Sequence, residues 1–210
     1  MFVASKVISG MLSKLFICMR DAMKRLLLTL TFPLLFTGCA SQSPTHMAFS
    51  PQVPNISQQT AQRSPISMET VDSRSIDYVA RFIEEGTKTR LISASEPPKL
   101  LLDEVFRAGF TEAGYQIDPS ATNAVQIQLE ELQMDVTKKT FGYEAKHSVV
   151  IAVQAKNSTQ ELVKRYKAKG ILKGPLTPDF ATLELDMNKL LGQLTGEILN
   201  DPELNQFLQQ

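Results

Sequence analysis

The chain has 210 residues, 22 basic and 22 acidic side chains, 43% hydrophobic residues, no Trp and two Cys. That is an ordinary globular composition, and it excludes a disordered tail, a collagen, a coiled coil and a disulfide-stapled miniprotein. With only His46 and His147, and two cysteines far apart, the usual metal-ligand spacings are missing, so neither a metal nor a cofactor is expected.

Residues 1–38 hold five cations (Lys6, Lys14, Arg20, Lys24, Arg25) and one acid, Asp21, leaving 17 basic against 21 acidic side chains in residues 39–210. A mildly acidic remainder argues against nucleic-acid binding, which draws on a strong excess of Lys and Arg. Residues 23–39 read MKRLLLTLTFPLLFTGC: two cations, an 11-residue apolar run (26–36), then small residues and Cys39. This is the three-part pattern of a secretory signal peptide. The run is too short to span a bilayer as a helix, which takes about 20 residues. Residues 1–22 stand outside the pattern, which makes Met23, or Met19, the more economical start. Cleavage removes Cys18, so the mature chain has no internal disulfide.

A cysteine after a small residue at the close of the apolar run resembles the bacterial lipobox, with Phe36 standing where leucine is usual. The resemblance implies that Cys39 becomes the first mature residue and carries a diacylglycerol thioether and an N-acyl chain. Two or three chains make a stable anchor where one alone is marginal. Ala40 stands where an aspartate would signal inner-membrane retention, so the resemblance implies the outer membrane, with the domain facing the periplasm.

Residues 40–64 are rich in Ser, Gln, Pro and Thr and read, with Cys39, as a flexible tether. Stretched out, 25 residues reach about 80 Å. A competing reading makes HMAFSPQVP a short strand added to the sheet. Residues 65–210 are long enough for one domain with a substantial core. Strand character is expected at 66–71, 78–83 and 89–94, with a turn at Glu84-Glu85-Gly86.

A helix follows, with Ser95 as its cap, Pro97 and Pro98 in the first turn, and Leu102, Val105, Phe106, Phe110 and Ala113 at helical spacing. Gly114 ends it. The period then changes to two. Val125, Ile127 and Leu129 alternate, and the phase slips before Leu132, Met134 and Val136. A β-bulge at Glu130-Glu131 returns both sets to the core. Residues 143–155 alternate cleanly, with His147 on the apolar face as a core histidine making one hydrogen bond. Asn157-Ser158-Thr159 turns the chain, and 162–172 returns as a basic strand. A second helix is expected to open at Thr177 and Pro178, burying Phe180, Leu183, Met187, Leu190, Leu191, Leu194 and Ile198. Asp201-Pro202 restarts a short terminal helix. The expected class is α+β, an antiparallel sheet with two main helices on one face.

Catalytic signatures are lacking: no G-x-S-x-G, H-E-x-x-H, C-x-x-C or Walker loop. The neighbouring acids Asp103-Glu104 and Glu84-Glu85 are expected on solvated surface rather than as a dyad. Gly192 and Gly196 form a G-x-x-x-G on a helix too charged for a membrane dimer, and are expected to mark close packing. One feature rises above this background. Residues 138–173 carry nine cations against Glu144 and Glu161. Lys164, Arg165, Lys167 and Lys169 within them are a candidate patch for an anionic ligand, and a solvated edge strand is the plainer reading.

The order of these segments is similar to the YajG family of bacterial lipoproteins. The similarity rests on the lipobox at Cys39, the helix LLLDEVFRAGFTEAGY (100–115), the strand VQIQLEELQMDV (125–136) and the strand YEAKHSVVIAVQAK (143–156). It implies an outer-membrane-anchored periplasmic domain and carries over no catalytic residue. The expected role is therefore non-enzymatic: binding or supporting another envelope component. A glycan- or lipopolysaccharide-binding module on the basic strand is the alternative, and an envelope hydrolase is the least supported.

Overall fold

The computed structural model describes residues 44–57, 63–83 and 89–210. The signal segment, Cys39 and the expected turn at Glu84-Glu85-Gly86 lie outside the described residues. The elements are β1 (His46–Met47), β2 (Pro65–Asp72), β3 (Tyr78–Ile83), β4 (Arg90–Ala94), α1 (Pro98–Glu112), β5 (Gln116–Ile117), β6 (Asn123–Lys139), β7 (Gly142–Lys156), β8 (Glu161–Gly174), α2 (Phe180–Leu199) and α3 (Pro202–Phe207).

The long strand β6 organises the sheet. One of its edges pairs antiparallel with β7 from Ala124↔Lys156 to Lys139↔Gly142, and β7 pairs antiparallel with β8. Its other edge is shared: β2 runs parallel to the first half and β3 parallel to the second. β4 adds antiparallel to β3, β1 parallel to β4, and β5 parallel to β2. The fold is α+β, but the sheet is mixed rather than antiparallel. A parallel neighbour needs a crossover of a dozen or more residues, and α1, lying between β4 and β5, supplies it.

The register between β6 and β7 shifts between Leu129 and Glu131, which is the expected bulge. Its effect is on packing: Leu129 and Leu132 are both buried, while Glu130 and Glu131 remain partly exposed. Alternate residues of β7, from Tyr143 through Ala155, fill the same core. Phe106 and Phe110 of α1 and Leu183, Met187, Leu191 and Ile198 of α2 close over that face.

The helix ends follow local chemistry. α1 begins at Pro98 with Pro97 extended before it and no side-chain cap, so Ser95 lies too far upstream. Its C-terminus closes as a Schellman turn. Gly114 adopts φ 96°, its amide donates to the Thr111 carbonyl, and the Tyr115 amide donates to the Phe110 carbonyl. The α2 cap is Asp179, whose carboxylate accepts the Thr182 amide, two residues beyond the expected Thr177. Asp201 caps α3 by accepting from Glu203 and Leu204.

The largest departure lies before β2. Residues 48–57, expected to be a free tether, run along α2 as an extended strap. The Ala48 amide donates to Glu184 (2.8 Å), the Ser50 amide to Asn188 (2.9 Å) and the Ser57 amide to Asn200 (2.7 Å). Between these, Gly192 faces the Gln52 carbonyl and Gly196 faces Pro54. The five helix positions are spaced by four, so one ridge of α2 carries the whole strap. The two glycines leave room for it. The reading of HMAFSPQVP as a strand added to the sheet holds only for His46 and Met47, which pair with β4.

Candidate functional site

The basic strand β8 divides its cations between two faces. Leu162, Tyr166 and Leu172 point toward the helices, whereas Arg165, Lys167 and Lys169 project from the face that the helices leave open. Val150 and Ala152, opposite Lys167 and Arg165 in the ladder, are buried on this open face, shielded by the long side chains around them. Arg165 reaches across β7 to Glu130 at 2.8 Å. Lys167 and Lys169 make no ion pair among the described residues.

Lys164 does not belong to that patch. Strand parity turns it inward, where its ammonium donates to Asp201 at 2.5 Å and to Glu203 at 2.8 Å. The buried Tyr166 hydroxyl donates to the same Asp201 carboxylate at 2.7 Å. Burial pushes the Asp201 carboxyl up, but the hydrogen bonds from Lys164 and Tyr166 outweigh it and hold the group below its ordinary range. Burial, with that bond to Asp201, raises the Tyr166 phenol far above its usual value. Lys164 therefore ties β8 to the start of α3 and is a structural cation.

A second charged cluster stands at the far end of the same strand. Glu144 lies among Lys139 (2.8 Å), Lys146 (3.5 Å) and Lys173 (3.5 Å). The hydrogen bond from Lys139 and the surrounding cations lower its carboxyl to about 2. Three lysines around one carboxylate leave the cluster cationic. The sequence placed all four residues inside the basic block without showing that the β6–β7–β8 ladder gathers them.

Elsewhere the polar groups serve structure. Asp103 accepts from Arg107 and Thr70, while its neighbour Glu104 is exposed, so the adjacent acids diverge. Burial raises the Asp103 carboxyl, yet those two hydrogen bonds leave it below its ordinary value. Arg63, in the stretch expected to be tether, is buried against the Tyr115 ring and donates to the Tyr115 hydroxyl and to Asn205. His147 is 2% exposed, with its Nδ1 3.4 Å from the Asp186 carboxylate. Neither ring nitrogen makes a hydrogen bond of ordinary geometry among the described residues, and the polar groups that act on the ring are the Asp186 carboxylate and the Gly170 backbone. A cleft of about 360 Å³ beside β2 and β6 includes Glu69, Arg107 and Lys156, but Glu69 accepts from Gln126 and Arg107 is committed to Asp103. Among the described residues no His, Cys, Asp and Glu cluster could hold a metal, and no helix is long and apolar enough to cross a membrane.

A family model described as an uncharacterized lipoprotein matches residues 51–209. The chain belongs to that family. It is 24% identical over 190 residues to the uncharacterized lipoprotein YajG of Escherichia coli (strain K12), a match spanning 89% of this chain and 97% of the relative. The YajG protein of Escherichia coli O6:H1 matches with the same identity and coverage. Among solved structures, protein XCC0632 from Xanthomonas campestris is similar with a TM-score of 0.52 at 15% identity, over 74% of this chain and 93% of that one. At that identity the likeness concerns the fold alone. The family match starts at Pro51, within the strap on α2, so its span takes in most of the strap as well as strands β2 to β8 and the helices.

Proposed function

We propose that the chain is a non-catalytic lipoprotein, held in the outer membrane by acyl chains on Cys39, whose periplasmic domain binds or supports another envelope component. The observation that carries this reading is the lipobox-like LLFTGC ending at Cys39, set directly before a domain of a lipoprotein family. Fractionation of cells making the chain and its Cys39→Ser variant tests the reading. The wild type is expected in the outer-membrane fraction and the variant in the soluble periplasm or uncleaved; identical distributions would overturn it.

A second reading assigns an anionic envelope glycan or lipopolysaccharide phosphate to the open face of β8, on the ground that Lys167 and Lys169 project there beside Arg165 without acidic partners of their own. Changing Arg165, Lys167 and Lys169 together to Glu should abolish co-sedimentation with purified envelope glycans. Unchanged co-sedimentation would remove this reading and leave the first intact.

A further inference from the structure

The strand directions bring together, at one end of the sheet, the C-terminal ends of β3, β6 and β8, the N-terminal ends of β4 and β7, and the start of α2. Phe141 occupies the two-residue turn between β6 and β7 and is 94% exposed. Leu176, just past β8, is 80% exposed and holds φ 60°, the left-handed backbone that a branched side chain adopts only under strain. It is the sole non-glycine residue with positive φ among the described residues. The two tips are neighbours: a Cβ on Gly142 would fall 3.4 Å from the Pro175 Cα and closer still to the Gly174 carbonyl.

Cations surround them. Lys138, Lys139, Lys146 and Lys173 are exposed here, with Glu144 enclosed by three of the four. Among the described residues the opposing acids are Asp179, engaged as the α2 cap, and Asp135, which faces Lys146 in the ladder and is paired with Arg81. β1, which Pro44 precedes by two residues, is set back from this end, since it pairs with Ser93 and Ala94, the last two residues of β4, level with Tyr78 at the start of β3. Five residue steps separate Pro44 from Cys39, a reach of about 17 Å at full extension.

We propose that this end of the domain docks on the anionic phospholipid surface that holds the anchor, with Phe141 and Leu176 entering the boundary between headgroups and acyl chains and Lys138, Lys139, Lys146 and Lys173 facing lipid phosphates. The inference rests on the reading of Cys39 as the lipidated residue. β1 runs parallel to β4, away from this end, so its N-terminal side faces the tips, and a tether of five residue steps keeps the domain close to the bilayer, so weak insertion suffices. Exposed apolar tips ringed by lysines match the interfacial chemistry of peripheral membrane contacts, where apolar groups enter about 5–10 Å and cations meet a negative surface.

The chain contains no Trp, so one substitution creates a unique reporter. Phe141→Trp and, as a control about 35 Å away along β8, Val163→Trp are made in the full acylated protein on vesicles of phosphatidylethanolamine and phosphatidylglycerol. Both positions are exposed, so neither variant strains the core. The expected result is a blue shift and quenching by bromine-labelled acyl chains at position 141, and neither at 163. Protein that floats with the vesicles but keeps water-exposed, unquenched emission at 141 overturns the docking and spares the anchor. A shift that appears without vesicles and grows with protein concentration also overturns it, in favour of a second copy. Protein that stays off the vesicles overturns anchor and docking together.

Discussion

Beneath α2, the imidazole of His147 has exchanged water for a close-packed strand face and a single carboxylate at its rim. Burial lowers its pKa below the ordinary 6.5, and Asp186 with the Gly170 backbone offsets only part of that. Below pH 6.5 the unfolded chain takes up a proton that the folded chain resists, so stability should fall as the pH drops through this range, until the folded imidazole also protonates. Urea midpoints between pH 5 and 7.5 should show that slope, and His147→Gln should flatten it; equal slopes in the two proteins would remove His147 as the cause. The burial of this residue was legible from its place in an alternating strand, but its partner was not, because Asp186 comes from another element 39 positions away. Lys164 and Arg165 show a related limit. Adjacent cations look alike in a sequence block, yet one-residue parity sends Lys164 to Asp201 and Glu203 and leaves Arg165 outside. Applying that parity to Lys164 would have removed it from the patch.

At the scale of elements, α2 and the strap make the clearest case. A pair of glycines four apart signalled close approach, but whether helix, sheet or extended chain approached them depended on residues 52–54, whose polar and proline-rich composition resembles a tether. The space around each glycine differs enough to separate two substitutions. A Cβ at position 192 meets only the Gln52 carbonyl at 3.7 Å, whereas one at 196 meets the Pro54 Cβ at 3.1 Å. Gly192→Ala should therefore be neutral or stabilising by up to about 1 kcal/mol through helix propensity. Gly196→Leu should cost about 1–3 kcal/mol as overpacking lifts the strap. Urea unfolding of both variants, with hydrogen exchange at residues 48–57, checks this; unchanged protection of the strap in Gly196→Leu would contradict it. The β6 bulge, by contrast, was readable in advance, because a phase slip between two apolar sets has one economical repair. The parallel pairing of β2 and β3 with β6 was not, since alternation gives a strand its faces but does not name its neighbour.

For the molecule as a whole, docking of the strap shortens the tether in the proposed attachment through Cys39. A tether of 25 residues would reach about 80 Å from the proposed anchor at Cys39, whereas the described chain from Pro44 onward leaves five residue steps, about 17 Å at full extension. A partner or polymer met by this domain would then be met close to the bilayer. The α+β class could be read from sequence because it depends on local pattern. The cationic end with Phe141 and Leu176 could not, since five strand ends and a helix start converge there only after folding. The proposed attachment depends on the chemistry of one sulfur atom. Mass spectrometry of the amino-terminal peptide, taken from protein purified out of bacterial membranes, tests it most directly. The account predicts a peptide starting at Cys39 and heavier by a diacylglycerol and an N-acyl group; an unmodified thiol, or a mature chain starting upstream of Cys39, would contradict it.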